Sequence, residues 1–198
     1  MSGARGSRRK AKMQPVFRYH PILVGLHWLL AILIIAALVV GYFLLAPMPN
    51  SSPEKIRILM VHMSVGMLIL VLMIIRFVVR MLTSRPQAAT TGYPMLDRLA
   101  PVTHYGFYLL ILLMVGSGYA TAILAGLNRI VFQKSGEPLP ADFDIYPSFI
   151  AHGVIAALLA AFITLHVLAA LYHQFVRKDG LFRRMFFGRR TVASTLGH

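Results

Sequence analysis

The 198-residue chain has no cysteine and has only six acidic residues against 20 lysines and arginines. The lack of thiols excludes disulfides, iron–sulfur clusters and thioether-linked prosthetic groups. None of the six acidic residues falls within the four long apolar segments of the sequence. Zinc or di-iron sites, and proton-coupled transport through intramembrane carboxylates, need side chains that these segments lack.

Apolar residues make up 58% of the chain, and its mean hydropathy is +0.70. The uncharged apolar segments are 22–45, 58–75, 99–127 and 145–176. Each reaches the length of about 18 to 20 residues that a helix needs to cross a bilayer core of about 30 Å. The first segment is too long for a signal peptide and is expected to be retained. The sequence therefore predicts an all-α membrane protein, a bundle of four transmembrane helices with no second domain.

The formal net charge is +14, and the basic residues are unevenly distributed. They cluster before the first apolar segment, between the second and third, and after the last. The other two connections hold four basic and four acidic residues: Lys55, Arg57, Arg129, Lys134, Glu54, Glu137, Asp142 and Asp144. Because cytoplasmic loops carry the excess of lysine and arginine, both termini are predicted to be cytoplasmic. We attribute the charge to this topology and to attraction of anionic membrane lipid, and not to a nucleic-acid surface.

The chain divides into three predicted parts. Residues 1–18 are basic, contain glycine and serine, and are expected to be disordered. Residues 19–187 form the transmembrane domain, and residues 188–198 form a short C-terminal tail. Near that last boundary, the sequence LFRRMFFGRR alternates arginine with apolar residues and predicts a short amphipathic segment on the inner leaflet.

Three of the eight histidines lie in the last apolar segment, at intervals of 14 and 7 residues: His152, His166 and His173. On an α-helix these intervals bring all three rings to one face, with His152 and His166 roughly 21 Å apart along the axis. A polar ring without a partner is costly in a bilayer. The spacing therefore indicates two inward-facing ligands, one near each side of the membrane.

The predicted topology also gives each histidine a depth. His62 and His152 share the external level, and His27 and His166 share the cytoplasmic level. Imidazoles from two facing helices can fill both axial positions of a b-type haem, so the sequence predicts two haems b, one for each pair. With both axial positions filled, electron transfer is favoured over oxygen activation.

Glycines in the apolar segments allow two interpretations, clearance for a porphyrin or ordinary close packing of helices. They are Gly66, Gly106, Gly116, Gly118 and Gly153.

The remaining histidines have other predicted roles. His104 has no partner at its depth and is expected to make an interhelical hydrogen bond. His20 and His198 lie outside the spans and are expected to be solvated. His173 lies where a lipid-soluble quinone can approach, and its ring can exchange a hydrogen bond or a proton with a quinone. An interfacial position beside Tyr172 is the alternative.

Segments in three of the spans resemble the bacterial cytochrome b561 family. They are GLHWLL in the first span, VHMSVGMLILVLMIIRFVVR in the second and AHGVIAALLAAFITLHVLAALYHQFVRKDG in the fourth. The resemblance covers roughly residues 18–187. It implies a four-helix dihaem cytochrome of the bacterial inner membrane, with His27 and His166 binding the cytoplasmic haem and His62 and His152 binding the external one.

Some members of that family are superoxide oxidases, which take electrons from superoxide at the periplasmic face and pass them to ubiquinone. In that type, a histidine at the position of His173 belongs to the quinone site. The resemblance assigns no further catalytic residues. Other proteins of this kind carry electrons as anchors of dehydrogenases or as partners of periplasmic proteins.

Three functions are therefore open. The first is an oxidoreductase that transfers electrons from superoxide to ubiquinone. An anionic substrate favours a cationic entrance, for which the external bases are candidates if folding brings them together: Lys55, Arg57, Arg129 and Lys134. The second is a non-enzymatic electron carrier that docks a redox protein at the periplasmic face. The third is a haem-free transporter or structural protein.

Overall fold

The computed structural model describes residues 18–84, 86 and 94–188, without the side chains of residues 94–101 and His104. Four helices in it are long and apolar enough to cross a membrane. We number them α1 (Pro21–Val39), α2 (Pro53–Leu82), α3 (Pro94–Leu124) and α4 (Pro147–Tyr172). Shorter helical turns are Val40–Leu45, Asn128–Phe132, His173–Arg177 and Phe182–Met185. The prediction of an all-α protein with four spans is confirmed.

Prolines occupy the first turn of α1, α2 and α4, at Pro21, Pro53 and Pro147. Proline suits this position because its fixed φ is helical and its missing N–H would have no partner there. At the start of α1, the Nδ1 atom of His20 also accepts a hydrogen bond of 3.3 Å from the backbone N–H of Ile22. His20, expected to be solvated only, is therefore a helix cap.

The helices extend beyond the apolar segments where polar residues continue them. α2 begins at Pro53, five residues before the apolar segment, and its first turn contains an ion pair of 2.6 Å between Arg57 and Glu54. Pairs three residues apart lie side by side on a helix and support it. α3 ends at Leu124, three residues before its apolar segment does, because Gly126 adopts a φ of 65° and turns the chain.

Apolar side chains from all four helices meet in the middle of the bundle. α1 packs on α2, α2 on α3, and α3 on α4. The central cluster, as we call this buried set, consists of Leu30, Ile34, Ile69, Met73, Ile111 and Leu159. Many other apolar side chains face outward, such as Ile32 and Leu165, which are 65% and 63% exposed. Contiguous apolar surface of this kind is suited to lipid. The chain is a multi-pass membrane protein.

One end of the bundle, the loop end, carries the connections between α1 and α2 and between α3 and α4. The longer connection folds over this end and, together with Ala122 of α3, forms an apolar cap, whose buried residues are Ala122, Ala125, Leu127, Ile130, Val131, Leu139 and Phe143. The Asn50 side chain joins the two connections by donating to the carbonyl oxygens of Pro140 and Ala141, at 2.8 and 3.1 Å. The only regular turn of the cap is Asn128–Phe132.

The other end of the bundle, the terminal end, is closed by contacts between the two ends of the described chain. Arg18 Nη1 donates to three carbonyl oxygens, at 3.1, 3.0 and 2.9 Å, those of Arg183, Phe186 and Phe187. Trp28 Nε1 donates to the carbonyl oxygen of Met185 at 2.9 Å, and its ring packs on Phe186. We call these contacts the terminal clasp.

The terminal clasp differs from the amphipathic segment that the sequence predicts. Only Phe182–Met185 forms a helical turn there. Carbonyl groups in and after this turn are bound by the side chains of Arg18 and Trp28, so the segment folds back onto α1. Disorder was predicted for residues 1–18, and a short tail for residues 188–198. Apart from Arg18 and Gly188, these residues lie outside the described part of the chain.

The clasp can be opened by one substitution. With Arg18→Gln, three carbonyl groups lose their charged donor, and trypsin cleavage after Arg183 should accelerate about fivefold or more, as for roughly 1 kcal/mol of lost hydrogen bonding. Arg57→Gln, which removes a basic side chain at the loop end, is the matched control and should leave this cleavage unchanged. Equal cleavage rates in all three proteins would show that Arg18 does not hold the segment.

Candidate functional site

The first pair of facing histidines lies toward the loop end. His62 on α2 and His152 on α4 have ring centroids 6.2 Å apart, with the ring planes at 74°. Their separation is too long for direct contact between the ring nitrogens in a hydrogen bond. The two rings therefore face each other from α2 and α4 without a direct hydrogen bond.

The His152 ring is fixed in one orientation by α3. Its Nδ1 atom lies 3.0 Å from the carbonyl oxygen of Met114 and 3.2 Å from the hydroxyl of Ser117. Because a carbonyl oxygen only accepts, the bond to Met114 requires the hydrogen of the neutral ring on Nδ1. The Nε2 lone pair is then available to a metal, and this type of second bond orients histidine ligands in metalloproteins.

Glycines give both rings room. A Cβ atom on Gly118 would lie 2.9 Å from Cε1 of His152, closer than a real contact permits, and one on Gly41 would lie 3.5 Å from Cε1 of His62. The Nδ1 atom of His62 is buried and has no hydrogen-bond partner among the described residues. An unpartnered buried nitrogen is costly, which indicates that this ring has a task other than packing.

The second pair lies toward the terminal end. His27 on α1 and His166 on α4 have ring centroids 6.3 Å apart, with the planes at 66°. Trp28 contacts the edge of the His27 ring at 5.3 Å between centroids, and Phe107 contacts His166 at 5.4 Å. Aromatic edges thus restrict both rings, and Trp28 also joins this pair to the terminal clasp.

The two pairs are separated along α4. His152 and His166 are 14 residues apart in one continuous helix, which corresponds to roughly 21 Å along its axis. The central cluster lies between the two levels. Depth matching predicted both pairs, and the structure brings the four rings together in those two pairs.

The spacing of the rings fits an axially bound iron. A metal–imidazole nitrogen bond is about 2 Å long, so two imidazoles that bind one iron from opposite sides have centroids roughly 6 Å apart. The measured distances are 6.2 and 6.3 Å. Within the described part of the chain, no group of three or more histidine, aspartate or glutamate side chains could bind a bare metal ion. Two imidazoles at each site instead suit a macrocycle that supplies the other ligands.

The glycines do not act as one class. Gly118 and Gly106 are close to side chains, since a Cβ atom on Gly106 would lie 2.8 Å from the ring of Phe162. Gly66, Gly116 and Gly153 have no heavy atom within 4 Å of the position that a Cβ atom would take. Close packing therefore accounts for Gly106, and clearance for a histidine ring accounts for Gly118.

His173 lies beyond the second pair, at the terminal end. Its Nδ1 atom is 2.6 Å from Oδ2 of Asp179, and Tyr172 contacts its ring at 5.9 Å between centroids. Burial acts to raise the pKa of the Asp179 carboxyl. Hydrogen bonds from His173 and from the Leu181 N–H, with the charge of Arg177, outweigh it and lower the pKa below its usual value. This partner of His173 was not predicted from the sequence.

The external bases predicted to attract an anion are largely bound to local partners. Lys55 is buried and donates from Nζ to the carbonyl oxygen of Met48 at 2.6 Å. Arg57 pairs with Glu54 at 2.6 Å, and Arg129 pairs with Glu137 at 2.8 Å. Lys134 lies on the exposed side of the connection. Folding therefore does not gather these bases into one cationic entrance.

Two other histidines are outside this description. The His104 side chain and residue His198 do not belong to the described part of the structure. The interhelical bond predicted for His104 and the solvation predicted for His198 remain predictions.

Comparison with known proteins agrees with this architecture. Residues 18–188 match the family model described as prokaryotic cytochrome b561. The chain is 32% identical over 178 residues to the protein named "Probable superoxide oxidase CybB" of Yersinia pestis, covering 87% of this chain and 98% of that protein. It is 27% identical over 176 residues to "Cytochrome b561 homolog 2" of Escherichia coli K12, covering 85% of this chain and 90% of that protein.

The resemblance carried by the first, second and fourth spans is thereby confirmed. Membership of such a family implies cofactors of the b-haem type and transfer of electrons in the membrane. With a match that extends over nearly the whole described sequence, the chain belongs to the prokaryotic cytochrome b561 family.

Proposed function

We propose that this protein transfers electrons across the bacterial inner membrane through two haems b, from superoxide at the periplasmic face to ubiquinone near the cytoplasmic face. The observation that carries the proposal is the pair of equal ring separations, 6.2 and 6.3 Å, at two levels of one bundle. His62 and His152 would hold one haem, and His27 and His166 would hold the other.

The protein's own residues would set the conditions for this transfer. A bound b-type haem supplies reversible one-electron chemistry at iron. Two imidazoles at each site would hold the haem, an arrangement that favours electron transfer over oxygen activation. The Met114 carbonyl group orients His152, and the rings of Trp28 and Phe107 restrict His27 and His166 in the other pair.

The charge distribution supports the orientation. Among the described residues, the terminal end contains the basic side chains that flank α1, α2 and α4, such as Arg18, Arg80 and Arg177, and the loop end is nearly balanced. By the positive-inside rule, the terminal end is cytoplasmic. The His62–His152 pair then lies toward the periplasm, and His173 lies at the cytoplasmic side.

Superoxide is proposed as the electron donor because the similar Yersinia pestis protein is named a probable superoxide oxidase. Each superoxide anion gives up one electron and leaves as O₂. Two superoxide anions, one ubiquinone and two protons therefore yield two O₂ and one ubiquinol. His173 is the residue we assign to the quinone, because it lies beyond the second histidine pair at the edge of the membrane.

The second candidate is an electron-carrier subunit that docks a periplasmic redox protein. The pairing of Arg57 with Glu54 and of Arg129 with Glu137 favours it, since paired charges attract a small anion weakly. The two candidates share the haems and differ in the donor.

Removing one ligand tests the haem assignment. We expect His152→Ala and His27→Ala each to lose one of two haems per chain, because a single imidazole leaves the iron bound from one side only. His20→Ala, which alters a helix cap, is the control and should retain both. Haem per chain is measured from the reduced optical spectrum and the extracted porphyrin, and full haem content in His152→Ala would disprove the assignment.

A pair of glycines provides a milder test. Gly118→Ala places a methyl group 2.9 Å from the His152 ring, whereas Gly116→Ala meets nothing within 4 Å. The first variant should shift the ring and lower the content or the potential of one haem, and the second should match the wild type. Redox titration followed by the b-type absorbance measures both. Identical titrations would mean that His152 does not bind the iron.

The donor is tested by mixing the oxidised protein with a pulse of superoxide. We expect haem reduction faster than spontaneous dismutation, with ubiquinol formed once quinone is added. The rate should depend only weakly on salt, because the loop-end bases are paired with carboxylates. Haem reduction no faster than dismutation would exclude superoxide and favour a protein donor.

A further inference from the structure

A tight turn after α4 returns the chain to the ring of His173. The helical turn His173–Arg177 ends at Lys178, which has a φ of 52°, and Gly180 has a φ of 73°. A left-handed conformation is unfavourable for lysine, so the surrounding contacts must fix this turn. Asp179 lies between these two residues and points back toward α4.

Each oxygen of the Asp179 carboxyl group has a partner. Oδ2 lies 2.6 Å from Nδ1 of His173 and 3.7 Å from Nε of Arg177. Oδ1 accepts a hydrogen bond of 3.1 Å from the backbone N–H of Leu181. The side chains of His173 and Asp179 are 23% and 27% exposed. The pair is therefore partly shielded yet within reach of water.

This arrangement fixes which ring nitrogen faces away from the turn. A carboxylate only accepts hydrogen bonds, so the bond to Asp179 requires the hydrogen on Nδ1 of His173. Nε2 is then the atom that can take up or give a proton. A carboxylate in this position also holds the ring in one orientation and one tautomer, as the aspartate of a catalytic triad does.

The geometry points to Asp179 as the positioning residue for His173 in proton delivery to the quinone. This inference rests on the proposed function and deepens it, because it assigns the residue that readies His173 for each proton. Asp179 itself does not touch the quinone.

The proton and electron balance is as follows. With a proton on both nitrogens, His173 donates from Nε2 to a quinone oxygen. As the quinone receives an electron that a one-electron donor such as superoxide has supplied, the Nε2–H bond breaks and an O–H bond forms. Nδ1 keeps its hydrogen on Asp179, and Nε2 takes a new proton from water. Two such rounds convert one quinone, two electrons and two protons into quinol.

The charged groups around the ring are consistent with this role. The Asp179 carboxylate contacts the ring of His173 and the guanidinium group of Arg177. Tyr172 contacts the edge of the His173 ring. Because the pKa of Asp179 is lowered, its carboxyl group stays ionised even within the pH range in which an ordinary aspartate takes up a proton. Its support of His173 is present at neutral pH and is lost only as acid protonates the carboxylate.

The test uses the full-length protein with both haems, reduced beforehand and mixed with a short-chain ubiquinone. Asp179→Asn keeps an oxygen for the Leu181 N–H but removes the charge. We expect the rate of haem reoxidation at saturating quinone to fall about 10- to 100-fold, with the KM for quinone nearly unchanged. Asp179→Glu should recover part of the rate. Reduction of the haems by the donor should not change.

Two further variants separate positioning from structure. Arg177→Gln removes the cationic side chain that contacts Asp179 and leaves the contact between Asp179 and His173 in place. This variant should retain most of the reoxidation rate. His173→Gln and the double variant His173→Gln with Asp179→Asn should be equally slow, because Asp179 acts only through His173. We expect the wild-type rate to fall as acid protonates Asp179, and this fall should be absent in Asp179→Asn.

The outcomes distinguish the two levels of the proposal. A wild-type protein whose reduced haems do not react with quinone would overturn the proposed function. A wild-type reaction that slows in His173→Gln but not in Asp179→Asn would overturn this inference alone. Slowing in Asp179→Asn without any in His173→Gln would also overturn it. Equal thermal unfolding of the variants shows that the turn remains folded.

Discussion

The bundle depends on keeping two pairs of imidazoles about 6 Å apart inside a hydrocarbon environment. Such a gap cannot be left to side-chain flexibility, because a polar ring in lipid otherwise seeks the nearest partner. The helices that carry each pair, α1 with α4 and α2 with α4, are not among the closely packed pairs of the bundle. Close packing occurs instead between α1 and α2, α2 and α3, and α3 and α4, with the central cluster as the spacer.

Each end of the bundle adds a restraint of its own. At the loop end, an apolar cap encloses the side on which His62 and His152 lie, and Lys55 is buried beneath it with its ammonium group bound to a carbonyl oxygen. At the terminal end, Arg18 and Trp28 bind the carbonyl groups of the last described residues. Trp28 contacts His27 as well. The fold thus closes over both sites, and among the described side chains no cluster with carboxylates that could bind a bare metal ion lies at either of them.

The sequence predicted the spans and the two histidine pairs because these depend on properties that run along one helix. Hydropathy locates a span, and the interval between His152 and His166 gives two levels on one face. Contacts between elements distant in sequence were not predictable in this way. Predicting such contacts requires knowing how helices cross, as for Met114 at His152 and Gly41 at His62. The contact of Asp179 with His173 depends instead on a left-handed turn. The burial of Lys55 was not predicted for the same reason, because it depends on how the connections at the loop end fold over this side chain.

One helix, α4, supplies a ligand to both sites, and it is the last of the four to be synthesised. Neither pair of imidazoles exists until α4 has entered the bilayer beside α1 and α2. If the histidine pairs hold the haems as proposed, a chain that lacks α4 presents only single histidines at each level. Retention of haem would then report on completed membrane insertion of α4, which joins assembly of the cofactors to quality control of the polypeptide.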